Sequence, residues 1–296
     1  MTRAGFVALA GRPNVGKSTL TNAIVGVKVA IVSDRPQTTR RAVRGVATGP
    51  DWQLVLIDLP GVQRPRDALT ARMARRVTLE LADADAALLL LNGEEGVGPG
   101  DRYIAASLAG SPGPVTVAVN KVDRLSKERQ AQALLAAAEI APATAEVFPI
   151  SARSGAGVAA LVEHLVSQLP DSPFLYAVEQ HSDMAREELL AELIREQVLR
   201  RTFQELPHAI GVVIEDLSSD EQDGELTRIE ALIWVETESQ KAIVVGRAGR
   251  MIKAIGTAAR RELERALGGR VHLSLIVRVR RNWRADDGLL DRLGIE

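Results

Sequence analysis

From about residue 5 to residue 169, short apolar runs of strand type alternate with stretches in which apolar residues recur every three or four positions. The runs at 6–10, 53–57, 86–91, 115–119 and 147–150 predict strands. The periodic stretches between them predict helices opening near Lys17, Thr70, Asp101, Lys127 and Val158. Alternation of this kind builds a mostly parallel, doubly wound α/β sheet covered on both faces, and such sheets bind ligands at the carboxyl ends of their strands. At Leu169-Pro170-Asp171-Ser172-Pro173 two prolines flank polar residues, which ends a helix and starts a linker. The expected organisation is therefore one domain over 1–170, a linker over 171–182, and a smaller α+β domain over 183–296. In the second domain the pattern predicts a long helix over 183–206, strands at 209–215 and 227–235, a helix after Gly249 running to about 267, and a last strand at 271–279. That order is α-β-β-α-β.

With 296 residues, 46% of them hydrophobic, the chain can fill two cores. Its 37 basic and 38 acidic residues leave a net charge of −1, so no global field selects nucleic acid or membrane. Locally the balance differs: residues 181–238 hold 5 Lys/Arg against 15 Asp/Glu, whereas residues 239–284 hold 12 against 2. The absence of cysteine fits a reducing cytoplasm. The N-terminal apolar run stops at Arg12-Pro13 without a cleavage pattern, and runs such as 86–91 are far shorter than the roughly 20 residues a membrane span needs. His164, His181, His208 and His272 show no metal-ligand spacing.

Four short stretches carry the chemistry. Gly11-Arg12-Pro13-Asn14-Val15-Gly16-Lys17-Ser18, with Thr19 after it, lies between the first predicted strand and the first predicted helix. Glycines let a backbone curl around anionic oxygens, and the helix N-terminus presents free N–H groups to the same charge. Lys17 is expected to reach the β- and γ-phosphates and Ser18 to ligate Mg²⁺. In Asp58-Leu59-Pro60-Gly61, Asp58 ends an apolar strand where a carboxylate can hold Mg²⁺ through water, and Gly61 allows a backbone N–H to approach a γ-phosphate. Between these motifs, the polar segment 35–40 offers a threonine hydroxyl to the Mg²⁺ shell when γ-phosphate is present, which makes an order–disorder switch. Thr39 is the choice and Thr38 the alternative. Lys17, Thr39 and Gly61 form the expected catalytic set, and Ser18, Thr39 and Asp58 the metal set.

Asn120-Lys121-Val122-Asp123 sets the base. The Asp123 carboxylate can accept from the ring N1–H and the exocyclic amine of guanine, and adenine has neither donor. Asn120 would tie the loop, Lys121 would lay its stem along the base, and Ser151-Ala152 would offer a backbone N–H to the guanine O6. Where many GTPases carry a water-orienting glutamine, directly after Asp-x-x-Gly, this chain has Val62, so slow intrinsic hydrolysis is expected. Asn14 resembles the asparagine of GTPases that recruit K⁺ in place of an arginine finger. Arg64 and Arg66 read as surface residues rather than a finger.

In the second domain, Gly246-Arg247-Ala248-Gly249-Arg250 with Lys253 has the pattern of a KH clamp. Its two glycines would press a backbone loop against a sugar–phosphate chain, and its cations sit at a helix N-terminus. An apolar strand is expected before this loop, and Arg278, Arg280, Arg281 and Arg284 are candidates to extend the phosphate track. Single-stranded RNA is the expected ligand.

These motifs together, Gly-Arg-Pro-Asn-Val-Gly-Lys-Ser, Gln-Thr-Thr-Arg, Asp-x-Pro-Gly, Asn-Lys-Val-Asp, Ile-Ser-Ala and a terminal Gly-x-x-Gly, resemble the Era family of bacterial ribosome-assembly GTPases over nearly all of residues 5–295. The resemblance implies a P-loop GTPase domain followed by a type II KH domain, GTP and GDP as ligands with Mg²⁺, and binding near the 3′ end of small-subunit ribosomal RNA. It also implies a part in maturation of the 30S subunit or its precursor, a monomer, and a cytoplasmic location partly peripheral on the inner membrane. Leu59 departs from the family's usual threonine, at a position expected to contribute mainly backbone. The alternative is an RNA-binding assembly factor whose nucleotide state gates docking and whose turnover is incidental.

Overall fold

Strand pairing places the nucleotide motifs side by side. The computed structural model describes residues 2–35, 38–62, 67–202, 209–219 and 226–295. The chain forms two units, Met1–Ala30 with Thr39–Pro65 and Met73–Asp183, and Ile31–Thr38 with Arg66–Arg72 and Met184–Glu296. Arg64, Arg66 and His208 lie outside the described residues.

The first unit contains β1 (Arg3–Ala10), α1 (Lys17–Val25), β2 (Val43–Thr48), β3 (Trp52–Asp58), most of α2 (Ala68–Asp83), from Met73 on, and β4 (Ala86–Asn92). These are followed by α3 (Pro99–Leu108), β5 (Val115–Asn120), α4 (Lys127–Ile140), β6 (Val147–Pro149) and α5 (Val158–Ser167). The six strands lie in the order β2-β3-β1-β4-β5-β6. Every pairing is parallel except that of β2 with β3. Residues alternate between the two faces as the strand period requires. Val7, Leu9, Leu54, Leu56, Leu88 and Leu90 pack with Leu161 and Leu165 of α5, whereas Ala10, Leu89, Leu91, Val117 and Val119 pack with Ile104 and Leu108 of α3. Ala8 and Ile57 pack with Val77 of α2.

The strand β2 is not apparent from the apolar pattern, because Arg44 and Gly45 interrupt it. Its conformation is set by antiparallel pairing with β3, from Val43 opposite Asp58 to Thr48 opposite Gln53. Residues 171–182 run along this unit. Asp171 bridges Arg3, Ser182 bridges Gly45, and the Gln53 side-chain oxygen accepts the backbone N–H groups of Leu175 at 2.7 Å and Tyr176 at 2.9 Å.

The second unit contains α6 (Arg186–Arg201), β7 (Gly211–Ser219), β8 (Leu226–Val235), α7 (Glu238–Val245), α8 (Arg250–Leu267), β9 (Arg270–Val279) and α9 (Asp287–Arg292). Its three-stranded sheet has the order β7-β8-β9, antiparallel then parallel, with β9 at an edge. Ile194 and Val198 of α6, Ile233 and Val235 of β8, and Ile255, Ala259 and Leu263 of α8 form its core. The expected apolar strand before the glycine loop is the helix α7. A capping box starts it: the Thr237 hydroxyl accepts the Gln240 N–H at 3.2 Å, and the Gln240 side chain accepts the Thr237 N–H at 3.3 Å. The two glycines therefore join helix to helix, and the order is α-β-β-α-α-β before α9. Among the described residues no helix is long and apolar enough to cross a membrane.

Leu56 is fully buried in the central part of the first sheet. Leu56→Ala should lower the stability of this unit by about 2–5 kcal/mol, read from its urea unfolding transition.

Candidate nucleotide site and nucleic-acid surface

In β1 and β3, Leu9 pairs with Asp58, so the loop after β1 and the carboxylate ending β3 emerge at the same edge of the sheet. β1 lies between β3 and β4 in the strand order, which makes this edge the switch point of the sheet. Gly16 caps the N-terminus of α1 at φ 103° with no side-chain hydrogen bond to the helix. A Cβ there would also come within 2.3 Å of the Asn120 amide nitrogen, so both conformation and space require glycine.

Lys17 is buried, and its ammonium donates to the carbonyls of Gly11 at 3.0 Å and Arg12 at 3.1 Å. The Ser18 hydroxyl donates to Asp58 Oδ2 at 2.6 Å and lies 3.0 Å from Thr39 Oγ1, which itself is 3.4 Å from the same carboxylate oxygen. The other oxygen, Asp58 Oδ1, is buried without a hydrogen-bond partner. One carboxylate and two hydroxyls around an unsatisfied buried oxygen suit a hard divalent cation such as Mg²⁺. Burial raises the Asp58 carboxyl from 3.8 to about 6, against the opposing influence of Lys17, Ser18 and Thr39. Burial likewise lowers the Lys17 ammonium from 10.5 to about 8, opposed by Asp58. Among the described residues no group of three or more His, Cys, Asp and Glu is placed to hold a metal ion.

The two threonines of the 35–40 segment are distinguished by geometry. The Thr38 hydroxyl donates to the Arg35 carbonyl at 2.6 Å, while that of Thr39 meets Ser18 and Asp58. Asn120 ties its own motif to the phosphate loop and to Ser151-Ala152: its amide donates to the Val15 carbonyl at 2.8 Å and its oxygen accepts the Ala152 N–H at 2.9 Å. Asp123 is exposed in a 3-10 turn over Val122–Arg124. Ser151 is buried, and its hydroxyl accepts the Ser154 N–H at 3.2 Å.

Three side chains in the motifs point away. Arg12 is paired with Asp101 at 2.9 Å and Glu95 at 3.1 Å, Leu59 is fully buried in the core beside Ile57 and Val77, and Val62 packs at the edge of that core. The motif pattern does not reveal the role of Asp101, which is fully buried and fixes the Arg12 side chain from α3.

In the second unit, Gly246, a 3-10 turn over Arg247–Gly249 and α8 follow α7 directly. Ala248 has φ 53°, a left-handed conformation uncommon outside glycine. Gly249 caps α8 at φ 74° without a side-chain hydrogen bond, and the space where its Cβ would lie is open. Arg247, Arg250 and Lys253 are exposed. Beside them is a cleft of about 430 Å³ between α8 and β9, lined by Ile252, Lys253, Thr257, Arg260, Val271 and Leu273 among others. Arg278, Arg280 and Arg281 are exposed, but Arg284 is bound to the Asp67 carboxylate and is removed from any phosphate track.

A phosphate loop, a buried Lys/Asp pair and a guanine-type Asn-Lys-x-Asp loop, followed by an α/β unit with a Gly-x-x-Gly turn, define a P-loop GTPase carrying a KH domain. The family described as 50S ribosome-binding GTPase matches residues 6–121, and the KH domain family matches residues 205–284. GTPase Era of Mycobacterium avium is 44% identical over 294 residues, covering 99% of this chain and 98% of the relative. That of Mycolicibacterium smegmatis is 43% identical with the same coverage. A crystal structure of Era in complex with MgGDPNP and nucleotides 1506-1542 of 16S ribosomal RNA matches with TM-score 0.96 and 33% identity, covering 100% of this chain and 99% of that one. A variant of Aquifex aeolicus Era bound to GDP.AlF4- matches with TM-score 0.95 and 33% identity, covering 99% of both chains. The chain belongs to the Era family of GTPases.

The raised Asp58 carboxyl has a sign that can be tested. The folded chain holds this proton more tightly than the unfolded chain, so the unliganded protein should lose stability as pH rises between 3.8 and about 6. Asp58→Asn should remove that dependence and stabilise the unliganded protein at pH 7 by on the order of 1–3 kcal/mol. The same variant should weaken Mg²⁺-dependent GTP binding, measured by titration of a fluorescent GTP analogue.

Proposed function

We propose that this protein is a GTP-hydrolysing switch that binds single-stranded RNA near the 3′ end of the small-subunit ribosomal RNA and assists assembly of the 30S subunit in the cytoplasm. The observation that carries the switch is the convergence of Ser18, Thr39 and Asp58, with its orphaned Oδ1, beside buried Lys17. In this reading Gly11, Arg12, Pro13, Asn14, Val15, Gly16, Lys17, Ser18 and Thr19 surround the phosphates, Arg12 through its backbone. Mg²⁺ is held by Ser18, Thr39 and the Asp58 carboxylate, and it neutralises charge on the β- and γ-phosphates. Leu59 and Pro60 set the path of the backbone so that the Gly61 N–H meets the γ-phosphate. Lys17 supplies charge that is strengthened by its removal from water.

Asp123 and Lys121 receive the guanine, with Asn120 holding their loop to the phosphate loop and to Ala152 after Ser151. Val62 cannot orient a water molecule, so hydrolysis is slow until a cation at Asn14 or a bound partner supplies what glutamine would. KCl should therefore support faster hydrolysis than NaCl at equal ionic strength, and equal rates would remove the role given to Asn14.

On the output side, Gly246, Arg247, Ala248, Gly249, Arg250 and Lys253 clamp the sugar–phosphate chain and the cleft behind them takes bases. The 16S fragment in the Era complex of known structure supports this partner. Lys17→Ala should reduce GTP affinity by about 10- to 100-fold, the value of one charge-assisted contact, and should leave RNA binding indifferent to nucleotide. Retained nucleotide sensitivity of RNA binding in that variant would defeat the switch. Gly249→Glu combines a strained backbone with a misplaced charge. It should lower affinity for a single-stranded 3′-end RNA oligonucleotide by about tenfold or more in a filter-binding assay, with GTP affinity unchanged.

A further inference from the structure

Two consecutive charged residues of α6, Arg195 and Glu196, are withheld from water, at 2% and 0% exposure. Such burial is costly unless each group is well partnered. Within the helix, Arg195 pairs with Glu192 at 2.6 Å and Glu196 with Arg200 at 3.1 Å. Both also grip the main chain of the segment Ile31–Thr38, which belongs to the same unit. Glu196 Oε1 accepts the Val32 N–H at 3.0 Å, and the Arg195 guanidinium donates to the Thr38 carbonyl. Ile31, 4% exposed, joins the core that contains Ile194 and Val198. The grip is on backbone atoms and an apolar anchor, so it fixes the chain at Ile31–Val32 and again at Thr38.

The chain leaves this unit at the Thr38–Thr39 peptide bond. The next side chain, Thr39, is the hydroxyl beside Ser18 and Asp58. A planar peptide means that holding the Thr38 carbonyl also fixes the Thr39 nitrogen. Only the Thr39 φ and a stiff, β-branched χ1 then separate the clamp from the hydroxyl.

We propose that Arg195, assisted by Glu196, is a positioning residue for Thr39, acting through the Thr38–Thr39 peptide bond. This rests on the reading of Thr39 as a Mg²⁺ ligand in the GTP state. Coupling of this kind is reciprocal: engagement of Thr39 by Mg²⁺ and γ-phosphate tightens the hold of α6 on Val32 and Thr38.

The test compares GTP hydrolysis against Mg²⁺ concentration for Thr39→Val, Arg195→Met, Arg195→Lys and the Thr39→Val/Arg195→Met pair. Arg195→Met should lower kcat about tenfold and raise the Mg²⁺ needed for half-maximal rate, as misplacement of a reacting-site group does. GDP affinity should stay within about twofold, Arg195→Lys should recover part of the loss, and the pair should be no slower than Thr39→Val alone. A wild-type rate in Thr39→Val would sink the Thr39 assignment and this proposal with it. A slow Thr39→Val beside a normal Arg195→Met, or an Arg195→Met defect of equal size in the Thr39→Val background, would overturn the positioning role alone. On the unaltered protein, the Val32 amide should exchange more slowly with a non-hydrolysable GTP analogue and Mg²⁺ than with GDP and Mg²⁺. Equal exchange would overturn the proposal whether or not the Arg195 variants fold.

Discussion

Lys17, at the start of α1, and Asp58, at the end of β3, are two opposite charges held out of water. Burial works against both ionised forms, raising one carboxyl and lowering one ammonium, and one Asp58 oxygen has no partner. The unliganded fold therefore carries an electrostatic cost that an anion and a cation together relieve. The strand register makes the arrangement possible, since Leu9 opposite Asp58 brings the phosphate loop to the carboxylate. Around this pair the neighbouring side chains either complete the site, as Ser18 and Thr39 do, or pack away from it, as Leu59 and Val62 do.

The same backbone device recurs in the second unit. α1 and α8, like α5, begin at a left-handed glycine with no side-chain cap, while α4, α7 and α9 are capped by Ser126, Thr237 and Asp286. A side-chain cap satisfies N–H groups at a helix start, and its absence leaves them available to an anion. In α1 these donors face the phosphate loop, and in α8 they sit among Arg247, Arg250 and Lys253. A mononucleotide and a polynucleotide can thus be met by one physical arrangement, differing in whether the surroundings bury the ligand or leave it an open cleft.

The slow chemistry expected of Val62 fits a protein whose output is binding. An apolar side chain at that position strengthens the core beside Leu59 and gives up the hydrogen bond that would orient water. On the proposed reading, residence in the GTP state depends on what holds Thr39, and Arg195 hydrogen-bonds the residue just before it.

The nucleotide motifs, the alternation of strands and helices and the Gly-x-x-Gly turn were legible in the residues themselves, because each is local: a loop, a helix start or an apolar run is encoded by neighbours in the chain. The strand β2 was not, since Arg44 and Gly45 hide it and only pairing with β3 makes it a strand. Nor was α7, where two valines before Gly246 suggested a strand and the Thr237–Gln240 cap prevails. The different partners of Thr38 and Thr39 also came from tertiary structure, because adjacent hydroxyls are equivalent in a sequence and are separated only by what lies across from them. The same holds for Arg12 turned toward Asp101, Arg284 bound to Asp67, and buried Arg195 held to the distant Thr38 carbonyl. Sequence determined which ligand the protein is built for, through residue types at fixed short spacings. The fold decided which side chains gather around the phosphate loop, because that depends on strand register, burial and contacts between residues far apart in the chain.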